Sequence, residues 1–470
     1  MMIVAAFVLL GLPAKMAAGA PYTALVNPLI GTGGHGHVFL GANVPFGLIQ
    51  LGPTQHNQGW DWCSGYHYSD SVLVGFSHLH LSGTGVGDLG DITVLPTLKR
   101  NQRETTFSHA NERVRPGYYG VTLDDGVQVE LTSTERVGMH RYTCPPGADS
   151  LFVRLDLKFG IGWDRLQEGL AQREGASALS GHRFSRGWAN NQKVFYVAEF
   201  SKPMASWCNE GDTLVVMSFA NDGQPLLLRV GLSAVSEEGA RANLRAELNH
   251  WDFDRVAAEA DAKWEQQLSK VQVSGPSSSL TNQQIFYTAL YHTMTAPSLF
   301  SDVDGNYRGA DGEVHHAAYQ TYTTWSLWDT YRAAHPLMTL LHPERQNDLA
   351  ATMLAIWREQ GKLPVWHLMG CETNCMVGNP AIPVLADMVL KGLTRHGDEA
   401  LEAMRASAML DERGQDLMRK YGYIPCDLFA DQETVGRGLE YALADWCVAR
   451  VAERRGRKKE QQLFDRLAQS

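Results

Sequence analysis

The feature that most restricts the fold is a change of hydrophobic period near residue 236. From Tyr22 to about Val235 apolar residues recur at every second position. Val127, Val129 and Leu131 alternate, as do Leu151, Val153, Leu155 and Leu157, with similar runs at Val194 to Phe200, Thr213 to Phe219 and Leu226 to Leu232. Period two buries one face of a strand, and many short strands with no intervening helix predict a large β-sandwich. After Glu237 the spacing becomes three and four: Leu244, Leu248, Trp251, then Val256, Ala260, Trp264, Leu268 and Val271. This predicts a long amphipathic linker helix, closed by Gly275-Pro276-Ser277-Ser278-Ser279. From Thr281 onward the chain reads as helices joined by loops. Candidates are Asn282 to Ala296, Thr324 to Leu341, Arg345 to Gln360, Ile382 to Leu393, Asp398 to Leu410, Glu433 to Arg455 and Lys458 to Ser470, with no strand-like block between them.

The expected organisation is a segment at 1–20 that is removed on export, a β-sandwich at 21–236, a linker helix and loop at 237–280, and part of an (α/α)6 toroid at 281–470. A closed ring of six helical hairpins needs on the order of 300 residues. About 190 follow the linker, so the ring is expected to be open, with a last helix exposing an apolar stripe that includes Trp446 and Val451.

Ile3 to Leu12 is too short an apolar run to span a bilayer, and Ala18-Gly19-Ala20 supplies the small-x-small pattern of a signal-peptidase site. The mature chain is therefore expected to be secreted or periplasmic, with no membrane span. A formal net charge of -10 argues against a nucleic-acid partner, which requires a basic face. Seven cysteines are too few for a disulfide framework and odd in number, so at least one stays free.

Two segments match GxGxxG, Gly31-Thr-Gly33-Gly-His-Gly36 and Gly85-Val-Gly87-Asp-Leu-Gly90. Neither lies between a strand and a helix, as a dinucleotide site requires, so they read as loops that let backbone approach a ligand or a facing domain. His35-x-His37 and His78-x-His80 each lack a third ligand at metal-site spacing, and no metal site is expected within this chain.

The loop from Gln58 to His67 packs Trp60, Trp62, Tyr66, Asp61 and His67 among glycines. Indoles stack on sugar C–H faces while carboxylates take hydroxyls, so Trp60 and Trp62 are candidate saccharide contacts, with plain core packing the alternative. In Tyr322 to Arg332, a helix capped by Thr323 or Thr324 would place Trp325, Trp328, Asp329 and Arg332 on one face. Asp329 is a candidate substrate contact there, the alternative being an interhelical salt bridge beside packed indoles. Leu363 to Met376 reads as a loop feeding a helix with Glu372 and Asn374 near its start, where a carboxylate either binds hydroxyls or satisfies free amides.

Val26-Asn-Pro-Leu-Ile-Gly-Thr-Gly33, Asn43-Val-Pro-Phe-Gly47, Gly75-Phe-Ser-His78-Leu-His-Leu-Ser-Gly83-Thr-Gly, Arg115-Pro-Gly-Tyr-Tyr-Gly120, Trp325-Ser-Leu-Trp-Asp-Thr-Tyr-Arg332 and Glu372-Thr-Asn-Cys375 stand in this order from about residue 24 to 447. They resemble the motifs of glycoside hydrolase family 92. That resemblance implies a β-sandwich joined to an (α/α)6 barrel and calcium-dependent, inverting removal of terminal α-linked mannose from glycans, α-1,2-like with the linkage left open. It implies that Trp60, Trp62, Asp329, Glu372 and Asn374 bind the sugar between the domains. The family's general acid lies in a Glu-Gly-Asn-x-Trp-Gln stretch and its base in an Asp-rich stretch before a Gly-Gln turn. Neither occurs in residues 1–470. Most calcium ligands belong to the same part, and His367 stands where the family more often carries Glu. The chain alone is thus expected to lack its catalytic pair and to be inactive, a fragment or an early-terminated product. The alternatives are a non-catalytic glycan-binding protein and another sandwich-plus-toroid carbohydrate enzyme.

Overall fold

A computed structural model describes residues 21–273, 279–430 and 433–469. Residues 1–20, expected to be removed on export, 274–278 within the stretch expected to close the linker helix, 431–432 and Ser470 lie outside the described residues.

The alternating segments form two antiparallel sheets. One is six-stranded, in the order Gly52–Thr54, Gly75–Ser77, Thr93–Thr97, Ser150–Asp156, Leu214–Ala220, Ser206–Asn209. The other is nine-stranded, in the order Arg165–Glu174, Ala178–Arg186, Gln192–Phe200, Leu226–Ser233, Val137–Thr143, Gln128–Ser133, Tyr118–Leu123, Thr105–Arg115, Val72–Leu73. Between them the inward residues make one core, with Val129, Leu131, Val153, Leu155, Tyr196 and Leu228 all buried.

The expected single linker helix is two helices, Glu237–Glu247 and Phe253–Leu268. Ser236 caps the first by accepting the Gly239 amide, and Asp252 begins the second by accepting the Arg255 amide at 3.0 Å. A cap inside a periodic run restarts the helix. Both helices pack on the outer face of the nine-stranded sheet, where Ala240, Leu244, Phe253 and Val256 cover Val137, Met139 and Val197.

Trp264, near the end of the second helix, leaves that layer for the core of the helical half. Its Nε1 donates to the Asn43 carbonyl at 2.8 Å, and Tyr291 Oη donates to Asn43 Oδ1 at 2.9 Å. The Phe46 amide donates to Met294 O and Leu299 donates back to Phe46 O, at 2.8 and 2.9 Å. The Asn43 to Gly47 motif is therefore a clasp between sandwich and helices.

The helical half comprises Leu280–His292, Ala334–Leu341, Gln346–Gln360, Ala381–Leu390, Gly397–Ala408, Gln415–Tyr421, Thr434–Arg454 and Lys458–Leu467, with a single turn at Leu327–Thr330. Strands do interrupt it, contrary to the periodicity. Ser298–Leu299 pairs with Tyr322–Thr323, Asn306–Arg308 with Val314–His316, and His367–Leu368 with Cys371–Glu372. On Thr434–Arg454, Trp446 is 50% exposed, as expected, alongside Val435, Leu439 and Leu443. Val451 instead is fully buried, because it faces the opposite side of the helix, within the core shared with Phe464. All seven cysteines are free, and no described helix is long and apolar enough to cross a membrane.

Candidate functional site

The residues singled out above fall in three clusters, one on the sandwich and two on the helical half. On the sandwich side, Gly59 ends the strand-like approach with φ 146°, and Trp60–Trp62 forms a 3₁₀ turn. Trp60 is 60% exposed, its Nε1 donating to Gly85 O at 3.0 Å, and its ring lies edge-on to His37 at 4.2 Å. A Cβ on Gly85 would stand 2.9 Å from that indole nitrogen. This second glycine-rich loop therefore serves close approach of a tryptophan of the same sandwich, where its sequence suggested a ligand or a facing domain. Trp62 is half-buried, stacked on His67 at 4.4 Å with Nε1 on Asp70 Oδ2 at 3.2 Å. Asp61 receives His35 Nδ1 at 2.7 Å and His37 Nε2 at 3.1 Å, and these hydrogen bonds hold its carboxyl below the usual range. The His35-x-His37 pair thus orients a carboxylate in the Trp60 turn, a partner that lies too far off in sequence for motif spacing to reveal. His78 and His80 are fully buried, and burial lowers both to about 4. His78 meets His140 Nε2 at 3.0 Å and His80 meets Thr54 Oγ1 at 3.0 Å, which makes them neutral core histidines.

On the helical side, the Trp325 to Arg332 segment is not one helical face. Thr324 has φ 66°, and the Trp325 amide donates to His367 O at 2.9 Å, so helix begins only at Leu327, with Ser326 at the cap position. Trp325, 1% exposed, is core. Asp329 is exposed and receives Ser326 Oγ at 2.5 Å. Arg332 does not pair with Asp329. It crosses to Glu440 at 2.7 Å, which Tyr331 Oη also reaches at 2.9 Å, and its guanidinium lies over the Trp328 ring at 4.7 Å. Trp328 Nε1 is buried and has no hydrogen-bond partner. An exposed carboxylate and a buried unused N–H on this turn, with a clamped guanidinium just beyond it, are groups that suit hydroxyl recognition.

Glu372 lies in a hairpin strand, not at a helix start, because the next helix begins only at Ala381. Its carboxylate accepts the amides of Val365, Trp366 and Asn374 at 2.8, 2.9 and 2.8 Å. It thereby holds the whole Leu363 to Asn374 loop. Asn374, at φ 54°, is exposed and accepts Lys362 Nζ at 2.7 Å, and Lys362 also reaches Glu412 at 2.7 Å. His367 is buried and lowered to about 4 by burial, and neither ring nitrogen has a partner.

A group the sequence did not single out joins the two sides. Asp88, inside Gly85 to Gly90, is buried and accepts the Trp188 and Ala189 amides at 3.1 and 2.9 Å. Burial, with help from the nearby Asp164 and Asp91 carboxylates, pushes it up to about 7. Trp188 packs edge-on against Trp366 at 4.5 Å, and the Trp366 amide is one of those held by Glu372. Beside this contact a polar pocket of about 230 Å³ is lined from the sandwich by Asn190 and Asn191 and from the helical half by Arg308, Cys371 and Glu372. Among the described residues, no hydrogen bond or ion pair joins Trp60 or Trp62 directly to Asp329, Glu372 or Asn374. The connection runs through Gly85, Asp88, Trp188 and Trp366.

Comparison with known proteins decides what this junction belongs to. The family model for the glycosyl hydrolase family 92 N-terminal domain matches residues 25–233, and that for the glycosyl hydrolase family 92 catalytic domain matches residues 239–470. The chain belongs to glycosyl hydrolase family 92. Its fold superposes on a family 92 α-mannosidase from Bacteroides thetaiotaomicron at TM-score 0.90, with 33% identity, over 96% of this chain and 66% of that one. A family 92 inverting mannosidase from the same organism aligns at TM-score 0.86 and 28% identity, over 96% and 65%. A curated relative, an uncharacterized secreted glycosidase of Arthroderma benhamiae, is 23% identical over 93% of this chain and 60% of its own length. The family 92 chain thus spans between 60% and 66% of the length of these three relatives. The sandwich followed by a helical domain, expected from the period change, is the architecture of the family.

Proposed function

We propose that this family 92 chain serves the removal of terminal α-linked mannose from glycans, with inversion, calcium assistance and a location outside the cytoplasm, secreted or periplasmic. The observation that carries this reading is the likeness to the Bacteroides thetaiotaomicron α-mannosidase over nearly the whole chain. A second relative described as inverting and a third described as secreted support the finer points.

Within that reading each residue has a role its geometry suits. Asp329 accepts sugar hydroxyls, with Ser326 keeping its second oxygen in place. The exposed Trp60 face stacks on a sugar ring, and Trp62 with Asp70 anchors its turn. Glu372 and Asn374 shape and rim the loop between Trp366 and the helices. Inversion requires an acid carboxyl on the leaving oxygen and a base carboxylate activating water, roughly 6.5 to 9.5 Å apart. No stretch of residues 1–470 matches the family's acid or base, so these residues alone are proposed to bind without turnover. Among the described residues no three His, Cys, Asp or Glu side chains converge as an ion site. They do not fit a complete calcium site, and no step here uses the ion.

The test is Asp329→Ala in a chain carrying a complete catalytic domain. Loss of a desolvated hydroxyl contact of about 3 kcal/mol lowers kcat/KM for mannosides about a hundredfold. A folded variant that turns over at the parent rate would remove Asp329 from the site.

A further inference from the structure

Where Arg165–Glu174 pairs with Ala178–Arg186, the register sets Arg165 directly opposite Arg186. Like charges facing each other across an antiparallel pair weaken it, so folding alone does not select this arrangement. Nothing local relieves it. Asp164 is turned inward onto Arg183 at 2.7 Å, and Glu168 is paired with His182 at 3.2 Å. Arg165 is held in place by the carbonyls of Gly162 and Asp164, neutral acceptors that leave its charge uncompensated. Arg186 is exposed, and its side chain makes no hydrogen bond or ion pair among the described residues.

Arg165 and Arg186 line an open cleft of about 410 Å³ together with Trp163, Trp188, Gln167 and Gly187, and no carboxylate residue lines it. In a chain of formal charge -10 this is an uncompensated positive spot. Trp163 is 57% exposed. Its amide donates to Gly87 O at 2.8 Å, which ties it to the glycine-rich loop under Trp60. Trp188 is the indole packed on Trp366. The cleft therefore borders the junction of the two halves.

We infer that this cleft binds an acidic saccharide, a sugar ring stacking on Trp163 while its oxyanion, a carboxylate or a sulfate or phosphate ester, bridges Arg165 and Arg186. Arginine forks match oxyanions in geometry and charge, and an indole face matches sugar C–H bonds. The oxyanion half stands on the facing arginines alone; the saccharide half rests on the glycosidase reading.

The experiment is titration of the 470-residue protein, followed by calorimetry and tryptophan fluorescence, with mannose 6-sulfate, glucuronate, methyl α-mannoside and inorganic sulfate. At least one acidic sugar binds about tenfold or more tighter than methyl α-mannoside, and added salt weakens it. Comparing the ester with the carboxylate identifies the oxyanion. Arg186→Gln, alone and with Arg165→Gln, lowers that affinity about tenfold or more while the melting temperature stays or rises, because a repulsion is removed. Trp163→Ala weakens the acidic sugar but not inorganic sulfate. Equal binding of acidic and neutral sugars, no acidic-sugar binding, or inorganic sulfate binding as tightly as the acidic sugars would overturn the inference. So would an Arg186→Gln protein that melts lower and binds unchanged. Turnover of neutral mannosides by a chain carrying a complete catalytic domain, assayed separately, reports on the glycosidase reading without involving these arginines.

Discussion

Asp88→Asn isolates one buried carboxyl on the sandwich side of the junction. Asp88 has each oxygen on a different amide, Trp188 N and Ala189 N, and burial raises it from 3.8 to about 7. A carboxyl whose folded value lies above its unfolded value opposes folding increasingly as pH rises. The opposition starts near pH 4 and is complete above about pH 7. Each tenfold is worth about 1.4 kcal/mol, so the full cost reaches about 4 kcal/mol at most, and between pH 5 and pH 8 it grows by about 2 to 3 kcal/mol. Asparagine removes the titration but keeps one acceptor oxygen, losing one amide hydrogen bond at a pH-independent cost of about 1 to 3 kcal/mol. The parent has already lost about 1.7 kcal/mol at pH 5, so the variant starts close to parity with it there and gains on it as pH rises. For a domain of this size the gain is roughly 5 to 10 °C in melting temperature between pH 5 and pH 8. Melting curves of both proteins across that range check it. Parallel curves would refute the assignment of Asp88 as a buried carboxyl that titrates with folding, and would leave another buried carboxyl such as Asp91, raised to about 6 by burial, as the group responsible.

Two further outcomes are expected. Trp264→Phe keeps the ring but orphans the Asn43 carbonyl, which the indole reaches at 2.8 Å, and lowers stability by about 1 to 3 kcal/mol in denaturant unfolding. An unchanged midpoint would mean that the clasp between sandwich and helices is held elsewhere. Mass spectrometry of exported protein finds Pro21 or a near neighbour at the N-terminus, as Ala18-Gly19-Ala20 implies, and an intact Met1 on soluble cytoplasmic protein would refute export.

What could be read from the sequence was whatever depends on local period. Leu151, Val153 and Leu155 alternate because they share one face of Ser150–Asp156, and the sandwich followed from such runs. The break before Phe253 was harder to see. Asp252 fits a helix surface as well as a cap, and only the fold chooses. The Trp325 to Arg332 segment misled because its spacing is helical while its backbone is not. Trp325 spends its amide on His367, 42 residues away, and Arg332 pairs with Glu440. No periodicity carries those partners. Glu372 was recognisable as a carboxylate able to satisfy amides, but the amides belong to its own hairpin loop, not a helix end. Asp88 was not legible because the amides it accepts, those of Trp188 and Ala189, lie 100 and 101 residues away, beyond the reach of any motif spacing.

The central claim, that these residues supply mannose recognition and the family's acid and base lie in stretches not matched here, is tested most directly by mannose release from α-mannobiose with calcium. Two proteins are compared: residues 21–470, and the same residues continued with the corresponding remainder of the Bacteroides thetaiotaomicron α-mannosidase. The account predicts release by the continued protein, with β-mannose appearing first, and none by residues 21–470, since acid–base catalysis alone is worth roughly 10² to 10⁴ in rate. Release by residues 21–470 at a rate near that of the continued protein would contradict it, and would place the proton transfers on Asp329, Glu372 or another carboxylate of this chain.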